Sequence, residues 1–400
     1  MDAIILSQPM GLIRYAGPYV AAASARDAGY KVGIIDYFTQ HKDLFGFIRS
    51  LITPTTKLVV ISTTFLYSTN TTIRSTHWEV FEKYSLNFHY DNEEELAQFF
   101  QSLRRIIPSH VKLALAGERV NTIYQYYDII PETHPIKKDV DFYFIGRNDN
   151  QLLKYLQGEK GIIHKDKFLQ FDANFVFKTA TIPTKVFKKC DAIQESEALS
   201  IEISRGCAFN CKYCNYDKKT INKQNNDSLH DQFLYYNDLF GTTNYYFTTD
   251  CFNDNIEFVK SFYNITQSLP FNIYWSSYAR PDLAHRYPES IDMMLESGAV
   301  SNFYGIETIN KNAAKLAGRG LSFDKILEVL AKFKEKKPEY FIKAFFIAGL
   351  PGDTVKSTLE TIKWMSTQTI INSASIQPLE IEPTISDLKL IDNAEFSINP

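Results

Sequence analysis

Arg205-Gly206-Cys207-Ala208-Phe209-Asn210-Cys211-Lys212-Tyr213-Cys214 sets three cysteines at Cys-x3-Cys-x2-Cys spacing, directly after the strand-like run Leu199-Ser200-Ile201-Glu202-Ile203-Ser204. Cysteine thiolates bind iron-sulfur clusters, and a loop this short lets all three face one cluster without the entropy of closing a long loop. Three ligands leave one iron unclaimed. An open metal position is where a substrate or cofactor coordinates, the logic that separates catalytic from structural zinc sites. Two plainer readings share the spacing, a zinc knuckle short of its fourth ligand and buried thiols without metal. Zinc sites usually supply a second cysteine pair or histidines further on, and no Cys-x2-Cys or His-x3-His partner follows here. The spacing favours a cluster on Cys207, Cys211 and Cys214.

Downstream of this loop, strand-like and helix-like segments alternate. Asn244–Thr249, Asn272–Ser277, Val300–Ile306, Tyr340–Ile347 and Ser373–Leu379 follow Leu199–Ser204 as strands. Helical patterns separate them, one capped by Ser322 and another capped by Asp353 and carrying Val355, Leu359 and Ile362. Six such units, joined by right-handed crossovers, curl into a partial (β/α)6 barrel whose working face is the carboxyl ends of its strands. The cysteine loop, Asp250, Arg280, Glu307 and the turn Gly349-Leu350-Pro351-Gly352 all fall at such ends. Taken one at a time, Asp250, Arg280 and Glu307 read equally as helix caps or partners of one another. Their coincidence on one rim is what argues for a site.

Upstream, short continuous apolar strands alternate with helices: Ala3–Leu6, Lys31–Asp36, Leu58–Ser62, Val111–Gly117 and Val140–Gly146. This pattern predicts a Rossmann-like, doubly wound parallel sheet. Ligands of such sheets bind outside the carboxyl ends, which singles out Ser7, Pro9, Gly11, Ser62, Thr63, Thr64, Gly117, Glu118, Gly146 and Arg147. Every sheet of this kind needs Gly, Ser and Pro in those turns, so position alone does not separate ligand contacts from turn residues. Residues 65–95 form a polar insertion with Trp78, Phe81, Tyr84, Phe88 and Tyr90, and Glu93–Ile107 reads as an amphipathic helix. Periodicity fades between Gly158 and Glu197, which marks a linker. The expected division is residues 1–157, a linker 158–197, a barrel 198–385 and a tail 386–400.

With 44% hydrophobic and 22% charged residues the chain is an ordinary globular protein. A net charge of −3 provides no general field for nucleic acid or anionic lipid. No stretch has the length of a membrane span, and the amino terminus lacks a positive n-region. Five cysteines, three of them clustered, do not make a disulfide framework. A reducing, cytoplasmic setting is expected, with Cys190 and Cys251 as plain thiols.

Residues 199–382 resemble the radical S-adenosylmethionine (SAM) core. The resemblance rests on Ser204-Arg205-Gly206-Cys207, the aromatic Tyr213 before the last cysteine, Gly305-Ile306-Glu307, and Ile347-Ala348-Gly349-Leu350-Pro351-Gly352-Asp353-Thr354. It implies a four-iron four-sulfur (4Fe-4S) cluster on the three cysteines, with SAM chelating the open iron and cleaved reductively to a deoxyadenosyl radical. By position, it places Tyr213 near the adenine, and Asp250, Arg280, Glu307, Gly349, Pro351 and Gly352 around the rest of that cofactor. Thr248-Thr249-Asp250 stands where the family has Gly-Gly-Glu. The first 150 residues resemble the cobalamin-binding domain that precedes this core in many such enzymes, which implies a cobalamin beside Ser62, Thr63, Thr64, Gly117 and Gly146. Asp-x-His-x-x-Gly is absent, Ala116-Gly117 replaces Gly-Gly, and Gly146-Arg147 replaces Gly-Glu. The sequence ends soon after Pro383-Thr384, where relatives continue, which the resemblance reads either as a truncated form or as a barrel more open to substrate.

The resemblance implies a methyltransferase acting at an unactivated carbon of a small-molecule substrate, supplied with electrons by a flavodoxin or ferredoxin. With a vestigial first domain it would instead be a cobalamin-independent cyclase, oxidase or rearrangement enzyme. A non-catalytic iron-sulfur scaffold or sensor is the third alternative.

Overall fold

The structure, a computed structural model, describes residues 1–9, 12–63, 93–117, 120, 123–124, 127–146, 149–171, 181–209, 211–214 and 222–379. Gly11, Thr64, Glu118, Arg147, the aromatics expected in the 65–95 insertion and the 386–400 tail lie outside the described residues. The described chain forms two compact units. One holds residues 1–171 together with Val186–Ala192, the other residues 181–185 together with those from Ile193 onward.

The first unit is a sheet flanked by helices. Its elements are β1 (Ala3–Ser7), α1 (Ala16–Asp27), β2 (Val32–Asp36), α2 (Leu44–Leu51), β3 (Leu58–Ser62), α3 (Glu93–Ile106), β4 (Lys112–Ala116), α4 (Pro135–Asp139), β5 (Phe142–Phe144), α5 (Gln151–Gln157), β6 (Ile162–His164) and β7 (Phe168–Gln170). The strand order is β2-β1-β3-β4-β5-β7-β6, parallel apart from the β6–β7 hairpin. Both faces are covered, which is why the central strands are apolar throughout. Ile4, Leu6, Val59, Ile61, Leu113 and Leu115 enter one core with Phe99, Phe100 and Leu103 of α3. Ala3, Ile5, Leu58, Val60 and Ala114 enter the other with Ala22 and Ala25 of α1, whose small side chains let the helix lie close on the sheet. Chain order reverses between β1 and β3, the switch point where sheets of this order open a ligand crevice.

The expected linker is corrected here. Ile162–His164 and Phe168–Gln170 extend the first sheet, with Phe168 fully buried, and Val186–Ala192 packs back onto the same unit. Phe187 lies 4.4 Å from the Tyr19 ring, and Asp191 pairs with Arg26 at 2.9 Å. Strands of three residues are too short to declare a period.

The second unit comprises β8 (Ala198–Ile201), α6 (Asn226–Phe240), β9 (Asn244–Phe247), α7 (Ile256–Ser268), β10 (Tyr274–Ala279), α8 (Pro281–Arg286), α9 (Glu289–Glu296), β11 (Ala299–Glu307), α10 (Lys311–Leu316), α11 (Phe323–Lys336), β12 (Phe341–Ala348), α12 (Val355–Thr367) and β13 (Ser373–Pro378). Its six strands pair in chain order and all in parallel, β8-β9-β10-β11-β12-β13. This is the six-stranded parallel sheet the sequence predicts. One strand face packs under the helices: Trp275, wholly buried, stacks among Phe247, Phe252 and Phe262 and donates from Nε1 to the Ser297 carbonyl at 2.9 Å.

Helix ends follow local chemistry. Asn225 Oδ1 accepts from the Asp227 and Ser228 amides to start α6, which Gly241 ends in the left-handed region at φ 70°. At α12 the cap is Thr354, which shares a reciprocal pair of bonds with Ser357, rather than the expected Asp353. Asp353 instead accepts from Asn310 Nδ2 at 3.2 Å. Val355, Leu359 and Ile362 are exposed on α12, so that apolar stripe is not a core face. Among the described residues no helix is long and apolar enough to cross a membrane.

Gly298, at φ 98° between α9 and β11, has no room for a side chain, because a Cβ would collide with the Ile273 carbonyl. Gly298→Ala is expected to destabilise the second unit by roughly 1–3 kcal/mol, read as an earlier denaturant midpoint.

Candidate active site

The cysteine loop is fixed at both ends. Gly206, at φ 90° directly after the short strand Ser204–Arg205, donates its amide to Asp250 Oδ2 at 2.8 Å, and Asp250 follows β9. Ser204 and Thr249 meet hydroxyl to hydroxyl beneath it. Further along, the Lys212 amide donates to the Ala317 carbonyl at 3.3 Å, and the Cys214 amide to the Cys211 carbonyl at 3.1 Å. Arg205 forms a two-pronged pair with Glu202, at 2.6 and 2.7 Å.

Arg280 follows β10 and reaches the loop. Its Nη1 donates to Cys211 Sγ at 3.3 Å, its guanidinium lies 3.6 Å from the Phe209 ring centroid, and its Nε donates to Asp282 at 3.0 Å. The Asn253 side chain holds the Arg280 backbone at both ends, accepting from its amide and donating to its carbonyl at 2.8 Å each. Burial pushes the Cys207 thiol above its ordinary value, opposed by the Phe209 amide and the Arg280 charge. Among the described residues no three His, Cys, Asp or Glu side chains converge as they would around one metal ion. Cysteines that each take a different iron of a cluster do not need to meet at a point.

Glu307 ends β11 after an irregularity in its pairing with β12, at φ 70°, and is 8% exposed. Tyr213 Oη donates to its Oε1 at 2.8 Å. Burial raises the Glu307 carboxyl, while the Arg319 charge and the Tyr213 hydrogen bond pull it down without cancelling that rise. Gly305 makes room for this carboxylate, because a Cβ there would collide with it. Arg319, with a side chain only 4% exposed, donates to the Gly305 carbonyl at 2.5 Å and stands 4.0 Å from Asp282. Burial pushes Asp282 upward, but Arg280 and then Arg319 hold it below the usual carboxylate range. Arg319, Asp282 and Arg280 thus form a run of polar contacts ending at Cys211, to which the Tyr213–Glu307 pair is coupled through the charge of Arg319.

The turn after β12 completes the rim. Gly349 and Gly352 are both left-handed at φ 84°, and Gly349 is exposed with open space where a side chain would be. Between them Leu350 is buried against Ala313 and Ala317, with Tyr213 at the margin. Pro351 is half-buried beside it. The Gly352 carbonyl accepts from Asn310 Nδ2 at 3.0 Å. The structure therefore brings Cys207, Cys211, Tyr213, Asp250, Arg280 and Glu307 into one constellation. The sequence reading missed Arg319, Asp282, Asn253 and Phe209; Arg319 carried a faint signal, an arginine between two glycines.

In the first unit, Ser7, Ser62, Thr63, Gly117 and Gly146 all stand at the carboxyl ends of parallel strands. Ser7 and Ser62 flank the switch point. Thr63 is 1% exposed and its hydroxyl is committed to the Ala116 carbonyl at 2.9 Å, so this side chain fastens two strand ends together. Gly117 and Gly146 take φ of 110° and 91°, which leaves the backbone bare at those turns.

Residues 201–365 match the radical SAM superfamily. The match runs from the end of β8 into α12. A radical SAM domain implies a 4Fe-4S cluster and SAM, and three cysteines outside any disulfide on one anchored loop, with a guanidinium at the Cys211 sulfur, are a donor set that fits such a cluster. No curated protein matches the chain by sequence. In fold it is similar to the radical SAM methyltransferase TsrM from Kitasatospora setae, solved with tryptophan substrate and the SAM analogue aza-SAM. The TM-score is 0.65 at 13% identity, over 94% of this chain and 73% of that one. It is also similar to the cobalamin-dependent SAM radical enzyme OxsB, solved with aqua-cobalamin and SAM. There the TM-score is 0.59 at 13% identity, over 98% of this chain and 55% of that one.

Cys211→Ala is expected to abolish cluster assembly, seen as loss of bound iron and visible absorbance after anaerobic reconstitution, with the fold retained by circular dichroism. Tyr213→Phe removes a donor that helps keep Glu307 ionised, so the Glu307 carboxyl rises further. SAM binding in this variant is expected to weaken as pH falls from a higher starting pH than in the wild type. Near neutral pH the loss is on the order of tenfold, the value of one hydrogen bond to a charged group. Equilibrium dialysis across pH 5–8 checks it.

Proposed function

We propose that this chain is a cobalamin-dependent radical SAM enzyme that transfers a methyl group to an unactivated carbon of a small molecule. The observation that carries the reading is the pairing, in one chain, of a doubly wound sheet of order β2-β1-β3-β4-β5 with a radical SAM domain that keeps all three cysteines. TsrM and OxsB, whose folds it shares along nearly the whole chain, are described as a methyltransferase and a cobalamin-dependent radical enzyme.

When bound, the cofactors supply the hard chemistry, a deoxyadenosyl radical from SAM on the cluster and a methyl relay from cobalamin. The protein's own residues bind and orient. Cys207, Cys211 and Cys214 hold the cluster, and Arg280 offsets the negative charge of the thiolates from 3.3 Å. Glu307 is buried and less than fully compensated by Arg319 and the Tyr213 hydroxyl, which suits it to receive the amino group of SAM, while Asp250 Oδ2 anchors the Gly206 amide. Tyr213, seated against the Leu350 turn, flanks the adenine. The open backbone at Gly349 lets the cofactor approach closely, with Pro351 and Gly352 shaping the same turn. Ser62, Gly117 and Gly146 at the switch-point edge of the first unit would hold a cobalamin, which would supply the methyl relay. Electrons come from a small reductant of the flavodoxin or ferredoxin type.

The committed Thr63 hydroxyl and the Ala116-Gly117 turn favour a second reading, in which the first unit keeps the fold without cobalamin. Anaerobic purification with cobalamin supplied, followed by reduction in the presence of SAM, separates the two. Methyl transfer yields S-adenosylhomocysteine alongside deoxyadenosine, with cobalamin retained on the protein. Deoxyadenosine alone would select the second reading, and neither product from a fully loaded cluster would overturn both.

A further inference from the structure

The six strands of the second unit have two faces of opposite character. Tyr245, Phe247, Trp275, Tyr304, Ile342 and Phe346 point under the helices and are buried. Alternate residues form the other face, which the helices leave uncovered. Parallel register aligns Tyr278 with Phe303, Phe303 with Lys343, and Lys343 with Ser373 in one row across four strands. The next row toward the carboxyl ends aligns Gly305 with Phe345 and Phe345 with Ser375. Both rows lead to the rim already described: Tyr278 precedes Arg280 by two residues, Gly305 precedes Glu307 by two, and Phe345 precedes Gly349 by four.

This wall is aromatic with one cation in it. Tyr278 and Phe303 stand 5.2 Å apart by ring centroid, Phe303 and Phe345 6.2 Å, Tyr278 and Phe345 6.1 Å, and Tyr246 meets Phe303 edge-on at 5.9 Å. Tyr278 is 41% exposed, although a ring of this size is normally turned inward in a folded domain. The Lys343 ammonium lies 5.3 Å from the Phe345 centroid and 5.5 Å from that of Phe303. Burial lowers its pKa, so its charge is held in partly desolvated surroundings where an incoming anion is worth most. Ser375 Oγ, in register with Phe345, is buried with no hydrogen-bond partner among the described residues. Ser200 Oγ, in register with Tyr246, is in the same condition. Buried hydroxyls without partners on a wall of rings are what a bound polar group would satisfy.

We propose that this wall is the substrate seat, that it takes a flat aromatic molecule carrying an anionic group, and that Lys343 selects the anion. Phe303, Phe345 and Tyr278 stack the ring, Lys343 pairs with the charge, and Ser375 donates or accepts at the ring periphery. The inference rests on the radical SAM reading of this unit and gives it a substrate class.

The test is equilibrium binding, by calorimetry, of three probes to the reconstituted full chain with SAM present and no reductant. The probes are indole-3-propionate, its neutral amide, and cyclohexanepropionate, which keeps the anion and loses the aromatic ring. The wild type is expected to hold the aromatic acid at least tenfold more tightly than either comparison probe. Lys343→Met removes the preference for acid over amide, Lys343→Arg retains it, and Phe303→Leu narrows the preference for the aromatic ring, all with SAM affinity unchanged as the check on folding. Binding of none of the probes, equal binding of all three, or a Lys343→Met variant that keeps its preference for the acid would overturn the proposal. Because binding is read without turnover, failure here leaves the product test of methyl transfer standing, and failure of that test leaves this one standing.

Discussion

The bond from the Gly206 amide to the Asp250 carboxylate is the constraint on which the site depends. It ties the first residue of the cysteine loop to the end of the neighbouring strand, so the loop inherits the rigidity of the sheet. A glycine is required there, because the chain leaves the short strand Ser204–Arg205 in the left-handed region and its amide must face an acid that follows β9. The Lys212–Ala317 bond fixes the far side. Between these two anchors Cys207 and Cys211 have only a short arc to sample, and Cys214 is tied back by its amide to the Cys211 carbonyl, which lowers the entropic cost of gathering them on one ligand.

Two arginines and two acids are then packed close to that arc, and their mutual pairing is what makes the burial tolerable. A buried charge with no counterpart costs several kcal/mol. Here Asp282 stands between Arg280 and Arg319, while Glu307 has Arg319 and the Tyr213 hydroxyl. The opposing pKa directions express the division of labour. Asp282 is held firmly ionised by two guanidinium groups, whereas Glu307 is the less fully compensated acid. That is the sense in which the rim is prepared for a cation from outside.

Much of this was legible in the sequence because parallel sheets advertise themselves. Buried on both faces, β1, β3 and β4 read as unbroken apolar runs, and in the second unit β9, β10 and β11 run into Asp250, Arg280 and Glu307 of the rim. What could not be read depended on contacts between distant segments. Arg319 looks like a loop residue between two glycines until β11 supplies the Gly305 carbonyl. The β6–β7 hairpin was hidden because strands of three residues have no measurable period, and Thr63 could not be told from a ligand contact until the Ala116 carbonyl was found beside it. On α12 the apolar spacing was real, but spacing does not say whether anything covers it. Val355 at 79% exposure shows that periodicity and burial are separate facts.

The strict chain order of the second sheet has a consequence for how the protein is made. Each strand pairs with the one synthesised just before it, so the sheet can grow strand by strand as the chain emerges, with few long-range closures to await. The metal loop comes near the beginning of that sequence, but its clamps come later: Asp250 one strand on, Arg280 two, and Ala317 only after the fourth strand of the sheet. The loop is therefore synthesised well before it is shaped. The contacts that shape it come from residues as far as Ala317, more than a hundred positions downstream of Cys207.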